Sequence, residues 1–166
     1  FCRKHFSRGN IEFRQMDISR IQGLQDKSFD AIFTSNALEH VPAVQGFFRD
    51  ARRLLKDDGV LIVAVPPIVD EKTRANDLTN QFHLNIWSPK QWQHVISRYF
   101  GSVEPYRHLF GRSDVTLDFL GHPDKCVVTE KDFKFLPCTA EEMGTLGTLT
   151  AMFVARTLRT SSSTAT

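Results

Sequence analysis

The strongest constraint on the fold comes from residues 60–65 (VLIVAV), six consecutive apolar residues rich in β-branched side chains. A strand with one solvated face alternates apolar and polar residues, whereas a continuous apolar run is typical of a strand covered on both faces. Pro66 and Pro67 end this strand, because proline cannot donate to a sheet ladder. The run is far shorter than the roughly 20 residues of a membrane helix. We therefore predict a buried strand of a parallel sheet and no membrane segment.

Two amphipathic helices are predicted. Residues 44–56 place apolar side chains at offsets i, i+3, i+4, i+7, i+10 and i+11, which lie on one helical face. The second helix begins after Ser88, a favourable N-cap, with Pro89 in the first helical position and Gln91 placed to close a capping box. The predicted buried face of the second helix comprises Trp92, Val95, Ile96, Tyr99 and Phe100.

Four further strands are predicted, over residues 11–15, 29–35, 102–110 and 149–158. Strands that alternate with helices indicate a three-layer α/β sandwich, with right-handed crossovers between parallel strands. Residues 111–148 are interpreted as an insertion, in which residues 126–129 and 132–136 would form a small hairpin.

Composition and net charge limit which domain organisation and which kinds of partner are expected. We predict one domain over residues 1–158 and a disordered tail at 159–166, because the low-complexity end TSSSTAT cannot bury apolar surface. A net charge of +2 without a strong basic run disfavours nucleic acid as a partner. The three scattered cysteines are too few for a disulfide framework, which predicts a reducing, cytoplasmic setting.

The residues that follow the predicted strands lie at their carboxyl ends, where open α/β sheets bind ligands. Asp17 follows the first strand and Pro66-Pro67 the third. Those that follow the second strand are Ser35, Asn36, Glu39 and His40. Asp17 also fits a simple turn residue, since aspartate favours strand ends. Glu39 and His40 also fit a solvated pair ahead of Pro42.

Residues 28–67 (SFDAIFTSNALEHVPAVQGFFRDARRLLKDDGVLIVAVPP) resemble the central block of class I S-adenosylmethionine-dependent methyltransferases. The matching pieces are Phe29-Asp30, Leu38-Glu39-His40, the helix end from Arg53 to Lys56, and the turn Asp58-Gly59. Asp58 departs from the family, which has glycine there. Residues 15–18 are similar to the family's Gly-Asp-Ala segment, and residues 82–88 to its His-x-x-x-Trp-Ser segment. The resemblance covers about residues 10–110.

The resemblance implies a Rossmann-like sandwich, with a mostly parallel sheet and an antiparallel last strand, that binds S-adenosylmethionine. Asp17 would accept a hydrogen bond from the adenine amino group, and Ile18 would border the ring. The methionine end would be lined by Thr34, Ser35 and Asn36. The reaction would be methyl transfer to oxygen or nitrogen of a small-molecule acceptor, with His40 or His83 taking the acceptor's proton. His83 also fits a packing residue.

The family's glycine-rich cofactor loop has no counterpart, because the nine glycines form no Gly-x-Gly pair. We therefore expect about two strands and two helices of the same domain to be missing ahead of Phe1, and with them half of the cofactor site. Three alternatives stay open: another Rossmann-like enzyme such as a nucleotide-linked oxidoreductase, a non-catalytic relic that serves as an interaction module, and a nucleic-acid methyltransferase. No metal site is predicted, because the spacing of His108, His122, Cys126 and Cys138 fits no compact metal pattern.

Overall fold

The computed structural model describes residues 2–6, 8–111 and 129–157 of the chain. The helices are α1 (Cys2–His5), α2 (Val44–Leu54), α3 (Glu71–Asp77), α4 (Pro89–Ser97) and α5 (Glu142–Leu146). The strands are β1 (Phe29–Ser35), β2 (Leu55–Val65), β3 (Ser102–Phe110), β4 (Phe133–Pro137) and β5 (Ala151–Arg156). None of the helices in these ranges has the length and apolar character to cross a membrane.

The five strands form one mixed sheet in the order β1-β2-β5-β3-β4. β1 and β2 are parallel, and β5 is antiparallel to both of its neighbours, β2 and β3. β1, β2 and β3 therefore run in the same direction, and the antiparallel last strand of the predicted Rossmann-like α/β fold is confirmed. Because β5 lies between β2 and β3, the β1–β2 pair is the one parallel pair among the described strands.

Three predicted elements differ from the structure. Residues 11–15 are not a strand, since β1 is the last strand on that side of the described sheet and no ladder forms beyond it. β2 begins at Leu55, with a register shift between the Phe29–Leu55 and Ala31–Val60 pairs. β4 lies where the second hairpin strand was predicted, but it pairs with β3. Residues 126–128, like the predicted tail at 159–166, lie outside the described residues.

The core lies between one face of the sheet and the helices α2 and α4. Alternate residues of β2 point into it, and the rings of Phe48 and Tyr99 meet there at a centroid distance of 5.9 Å. Its largest fully buried side chains include Phe48, Leu54, Leu61, Val63, Trp92, Ile96 and Phe153. Each buried Leu, Val or Phe stabilises the fold by about 1.5–3 kcal/mol. The capping box of Ser88 and Gln91 forms as predicted and starts α4 at Pro89.

The other face of the sheet is uncovered near β1. Phe33 is 65% exposed, Phe29 is also exposed, and Ile62 and Val154 are only half-buried. Three of the described helices have buried side chains, and each of the three contributes side chains to the same core; the helices are α2, α4 and α5. The described residues thus supply two of the three predicted layers. The apolar run in β2 indicates that its second face is also suited to a covering layer.

Candidate functional site

The chain leaves β1 through a turn at the carboxyl end of the sheet. Thr34 is buried, whereas Ser35 and Asn36 are exposed. Asn36 adopts a φ of 46°, and its backbone N–H donates to the Ala64 carbonyl at 2.9 Å. Asparagine tolerates this left-handed conformation better than most residues. The turn leads directly into a short 3-10 helix, Leu38–His40, and leaves the edge of the sheet open at Ser35 and Asn36.

Asp17 lies in an exposed turn that is held by local hydrogen bonds. Its Oδ1 accepts from the Ser19 hydroxyl at 2.7 Å and from the Ser19 N–H at 2.8 Å. These two bonds lower the pKa of the Asp17 carboxyl below its usual value. The neighbouring Ile18 is half-buried against the core. The adenine-binding roles of Asp17 and Ile18 stay predictions.

The turn packs against the start of α2. A Cβ added at Gly46 would collide with the carbonyl oxygen of Ser19. Gly46 lies in the first turn of α2, and α2 follows the carboxyl end of β1. The turn at residues 17–19 therefore lies beside the first turn of α2, the helix that follows the carboxyl end of β1.

The structure brings together His40 and His83, which are 43 positions apart in the sequence. Their rings meet edge to face, with centroids 4.7 Å apart and planes at 68°. His40 ends the 3-10 helix after β1, and His83 lies in the segment between α3 and α4. His40 is exposed and His83 is half-buried, so the pair lies at the protein surface.

Glu39 is buried beneath these histidines, with only 2% of its surface exposed. The interpretation of Glu39 as part of a solvated pair is therefore wrong, because the 3-10 helix turns Leu38 and Glu39 inward and His40 outward. Glu39 Oε1 lies 3.9 Å from His40 Nε2, and Oε2 has no hydrogen-bond partner among the described residues. Burial raises the pKa of the Glu39 carboxyl, and the nearby histidines offset this only in part.

Each histidine is oriented by a hydrogen bond at Nδ1. His83 Nδ1 lies 2.8 Å from Oδ1 of Asp77, the last residue of α3, and His40 Nδ1 lies 2.9 Å from the Phe82 carbonyl oxygen. Carbonyl and carboxylate oxygens only accept, so Nδ1 of each ring donates. In the neutral rings the lone pair is then on Nε2. Both histidines are held in the tautomer that leaves Nε2 free to take a proton or to bind an ion.

The two segments that carry the histidines are joined by a buried amide. Asn85 is 7% exposed, and its Nδ2 donates to the carbonyls of Leu38 and Val41, both at 2.8 Å. The backbone N–H groups of Leu84 and Asn85 donate to the Glu39 carbonyl at 2.7 and 3.0 Å. The positions of the histidines are therefore set by hydrogen bonds between distant parts of the chain.

Asp77 and Asn85 were not found from the sequence. Their partners lie 6 positions away for Asp77, and 44 and 47 positions away for Asn85. The spacing of Asp77 and His83 is compatible with many loop geometries, and nothing in the local sequence marks Asn85 as buried. The one available signal was that Asn85 lies beside His83 in the segment that resembles the methyltransferase motif.

Two pockets of the described residues lie away from these groups. A pocket of about 610 Å³ is lined by Glu12, Arg14, Met16, Gly23, Leu24, Gln25, Ser28 and Phe29. Ser28 and Phe29 lie at the amino end of β1, opposite the edge where α/β sheets bind their ligands. A second pocket, of about 280 Å³, lies beside Trp87 and His94. Trp87 packs against buried Trp92, with ring centroids 4.7 Å apart and planes at 55°, which favours a packing role for Trp87. We therefore place the candidate site at Asn36, His40 and His83 rather than in either pocket.

The chain is similar to a methyltransferase family model and to solved methyltransferase structures. Residues 1–63 match the family model described as "Methyltransferase domain". A comparison with curated protein sequences finds no match. Among solved structures, an S-adenosylmethionine-dependent methyltransferase of Thermotoga maritima, described as a possible histamine N-methyltransferase, is 16% identical with a TM-score of 0.59. That match covers 85% of this chain and 61% of the Thermotoga protein.

Two further structures show the same fold. An Archaeoglobus fulgidus S-adenosylmethionine-dependent methyltransferase is 15% identical, with a TM-score of 0.60, over 90% of this chain and 69% of its own. The Bacillus subtilis YcgJ protein is 15% identical, with a TM-score of 0.55, over 90% of this chain and 72% of its own. These likenesses confirm the Rossmann-like fold, and the family model supports the methyltransferase resemblance over residues 1–63. The chain spans about three fifths of the length of the Thermotoga protein.

Proposed function

We propose that this chain forms part of a methyltransferase that binds S-adenosylmethionine at the carboxyl edge of the sheet and methylates a small-molecule acceptor. The observation that carries the proposal is the position of His40 and His83, directly beyond the open turn in which β1 ends. The match of residues 1–63 to a methyltransferase domain supports the same assignment.

The cofactor would lie along the exposed edge. Asp17 uses one carboxylate oxygen to hold its turn, which leaves Oδ2 for the adenine amino group, with Ile18 beside the ring. Ser35 and Asn36 present exposed backbone and side-chain groups for the methionine end, above buried Thr34. Binding at this edge requires no movement of the core, because none of these side chains except that of Thr34 is buried.

His83 is the better candidate for the general base. Its Nδ1 is hydrogen-bonded to Asp77, which orients the ring and stabilises the imidazolium that forms when Nε2 takes a proton. S-adenosylmethionine would supply the methyl group and would keep the electrons of the broken carbon–sulfur bond on sulfur, and the proton of the acceptor would go to Nε2 of His83. His40, whose Nδ1 meets a neutral carbonyl, would position the acceptor. A hydroxyl or an amine acceptor satisfies this chemistry.

The test is a calorimetric titration of S-adenosylmethionine into the full gene product, followed by transfer of labelled methyl groups to a panel of small amines and phenols. We expect one-to-one binding and transfer to at least one acceptor. If the folded protein does not bind the cofactor, the proposal fails and the non-catalytic alternative replaces it. If it binds the cofactor and labels only nucleic acid, the small-molecule acceptor is wrong.

A further inference from the structure

We propose that Glu39, His40 and His83 form a binding site for a divalent transition-metal ion. Each of the three residues offers one ligand atom, and these atoms lie within 4.8 Å of one another. Ligand atoms that share one tetrahedral ion at about 2.1 Å lie about 3.4 Å apart. Side-chain rotations that shorten the separations by at most about 1.4 Å would therefore bring the three groups onto a common ion.

The charges around the two histidines favour a cation. Glu39 lies 3.9 Å from His40 and Asp77 lies 2.8 Å from His83, and the ion-pair partners of both carboxylates in the described part of the chain are histidines alone. Oε2 of Glu39 and Oδ2 of Asp77 are buried and lack hydrogen-bond partners within the same residues. A buried carboxylate oxygen without a partner is costly, and a bound cation removes that cost.

The hydrogen bonds around the histidines match those of known metal sites. Metal-bound histidines usually donate their second ring nitrogen to a carboxylate or a backbone carbonyl, which fixes the ring orientation. His83 has Asp77 in this role and His40 has the Phe82 carbonyl. The bonds of Asn85 to Leu38 and Val41 hold the two ligand segments together before any ion arrives.

The ligand types indicate which ion. Two imidazoles and one carboxylate are the ligand set of catalytic zinc sites and of other transition-metal sites with open positions. Magnesium and calcium prefer oxygen ligands. An ion of this class would keep at least one position open for a water molecule or a ligand oxygen, beside the exposed ring of His40.

This inference goes beyond methyl transfer and does not depend on it. An ion on Nε2 of His83 would occupy the lone pair that the proposed base uses, so the two roles exclude each other at that atom. Metal binding is therefore measured without S-adenosylmethionine.

The experiment titrates Co²⁺ into the chelator-treated full-length protein and follows its visible absorption, with Zn²⁺ competition to confirm a shared site. We expect one ion per chain. His40→Ala and His83→Ala should each weaken binding at least tenfold, and Asp77→Asn by about 10–100-fold through the orientation of His83. His94→Ala is the matched control, because His94 is an exposed histidine on α4 outside the cluster, and it should bind as the unchanged protein does.

Absence of saturable binding by the folded protein would overturn the site, as would full retention of binding in the His40→Ala, His83→Ala double variant. His40 is exposed, so its substitution does not threaten folding, and circular dichroism verifies each variant. A protein that binds S-adenosylmethionine but no metal overturns the metal site alone. A protein that binds metal but no S-adenosylmethionine supports the site and overturns only the proposed methyl transfer.

Discussion

Two polar regions lie at the carboxyl edge of this sheet, and they are held in opposite ways. The turn at Asp17 is exposed and is stabilised by bonds to Ser19, two residues away. The cluster of Glu39, His40, His83 and Asn85 combines two buried side chains with the exposed ring of His40. Apart from the bond of His83 to Asp77, its bonds join residues 42 to 47 positions apart. The first region depends on local chemistry and the second on the whole fold. Substitutions in the two regions should therefore separate effects on binding from effects on stability.

The largest expected effect is on turnover, at His83. If its Nε2 takes the acceptor proton, His83→Ala should lower the methylation rate by about 10²–10⁴-fold. S-adenosylmethionine binding should be retained, because the cofactor lies along the exposed edge. Single-turnover kinetics with labelled cofactor measure the rate, and His94→Ala is the control. An equal loss of cofactor affinity would show that the two regions are not separate.

Removal of the Asn85 side-chain amide, which joins the segments of His40 and His83, should have the largest effect on stability. Asn85→Ala removes the side-chain donor to the carbonyls of Val41 and Leu38, of which Leu38 keeps only the bond from the Val41 N–H. We therefore expect a loss of about 2–3 kcal/mol in the free energy of unfolding. Urea denaturation measures it. Asn76→Ala, at an exposed position on α3, should change stability by less than about 0.5 kcal/mol. A similarly small change in the free energy of unfolding for Asn85→Ala would mean that other contacts hold the two histidine segments together.

The packing of the Asp17 turn against α2 is tested by Gly46→Ala. The added Cβ would collide with the Ser19 carbonyl, and overpacking of this kind costs about 1–3 kcal/mol. Thermal unfolding compares it with Gly9→Ala, where a Cβ meets no atom within 4 Å and the midpoint should not fall. If Gly46→Ala is as stable as the parent protein, the turn moves freely and is not positioned by α2.

The smallest effect on stability is expected at Asp17 itself. Asp17→Ala should leave the unfolding midpoint unchanged, because the carboxylate is exposed and its bonds are local. S-adenosylmethionine affinity should fall about tenfold, which corresponds to one lost hydrogen bond. Calorimetry measures the affinity, and Asp30→Ala, another exposed aspartate at the opposite end of β1, is the control. Unchanged affinity would leave Asp17 as a turn residue.

The elements of the fold were predictable wherever the local signal was strong. β1 and β3 have the predicted bounds, and α4 begins at its predicted capping box. The prediction of a strand at residues 11–15 was wrong, because an alternating pattern forms a strand only where a partner strand is present. The pairing of β4 with β3 was not predictable, since a strand's own sequence does not specify its neighbour.

The candidate site was predictable only in part. His40 and His83 were named through the methyltransferase resemblance, whereas no metal site was predicted, because only the spacing of His108, His122, Cys126 and Cys138 was weighed. His122 and Cys126 lie outside the described residues. The cluster of Glu39, His40 and His83 combines residues from two segments 43 positions apart. The spacing of residues along a chain does not show which distant segments come into contact in the fold.

The sequence by itself determined the periodicity of the helices and strands, the fold class and the resemblance to methyltransferases, because each depends on residues within about 15 positions of one another or on an ordered set of short motifs. Only the tertiary structure decided that Glu39 is buried, that Asp77 and the Phe82 carbonyl orient the two histidines, and that helices cover one face of the described sheet. Burial and hydrogen bonding between distant segments depend on how the elements pack, and packing is a property of the whole chain.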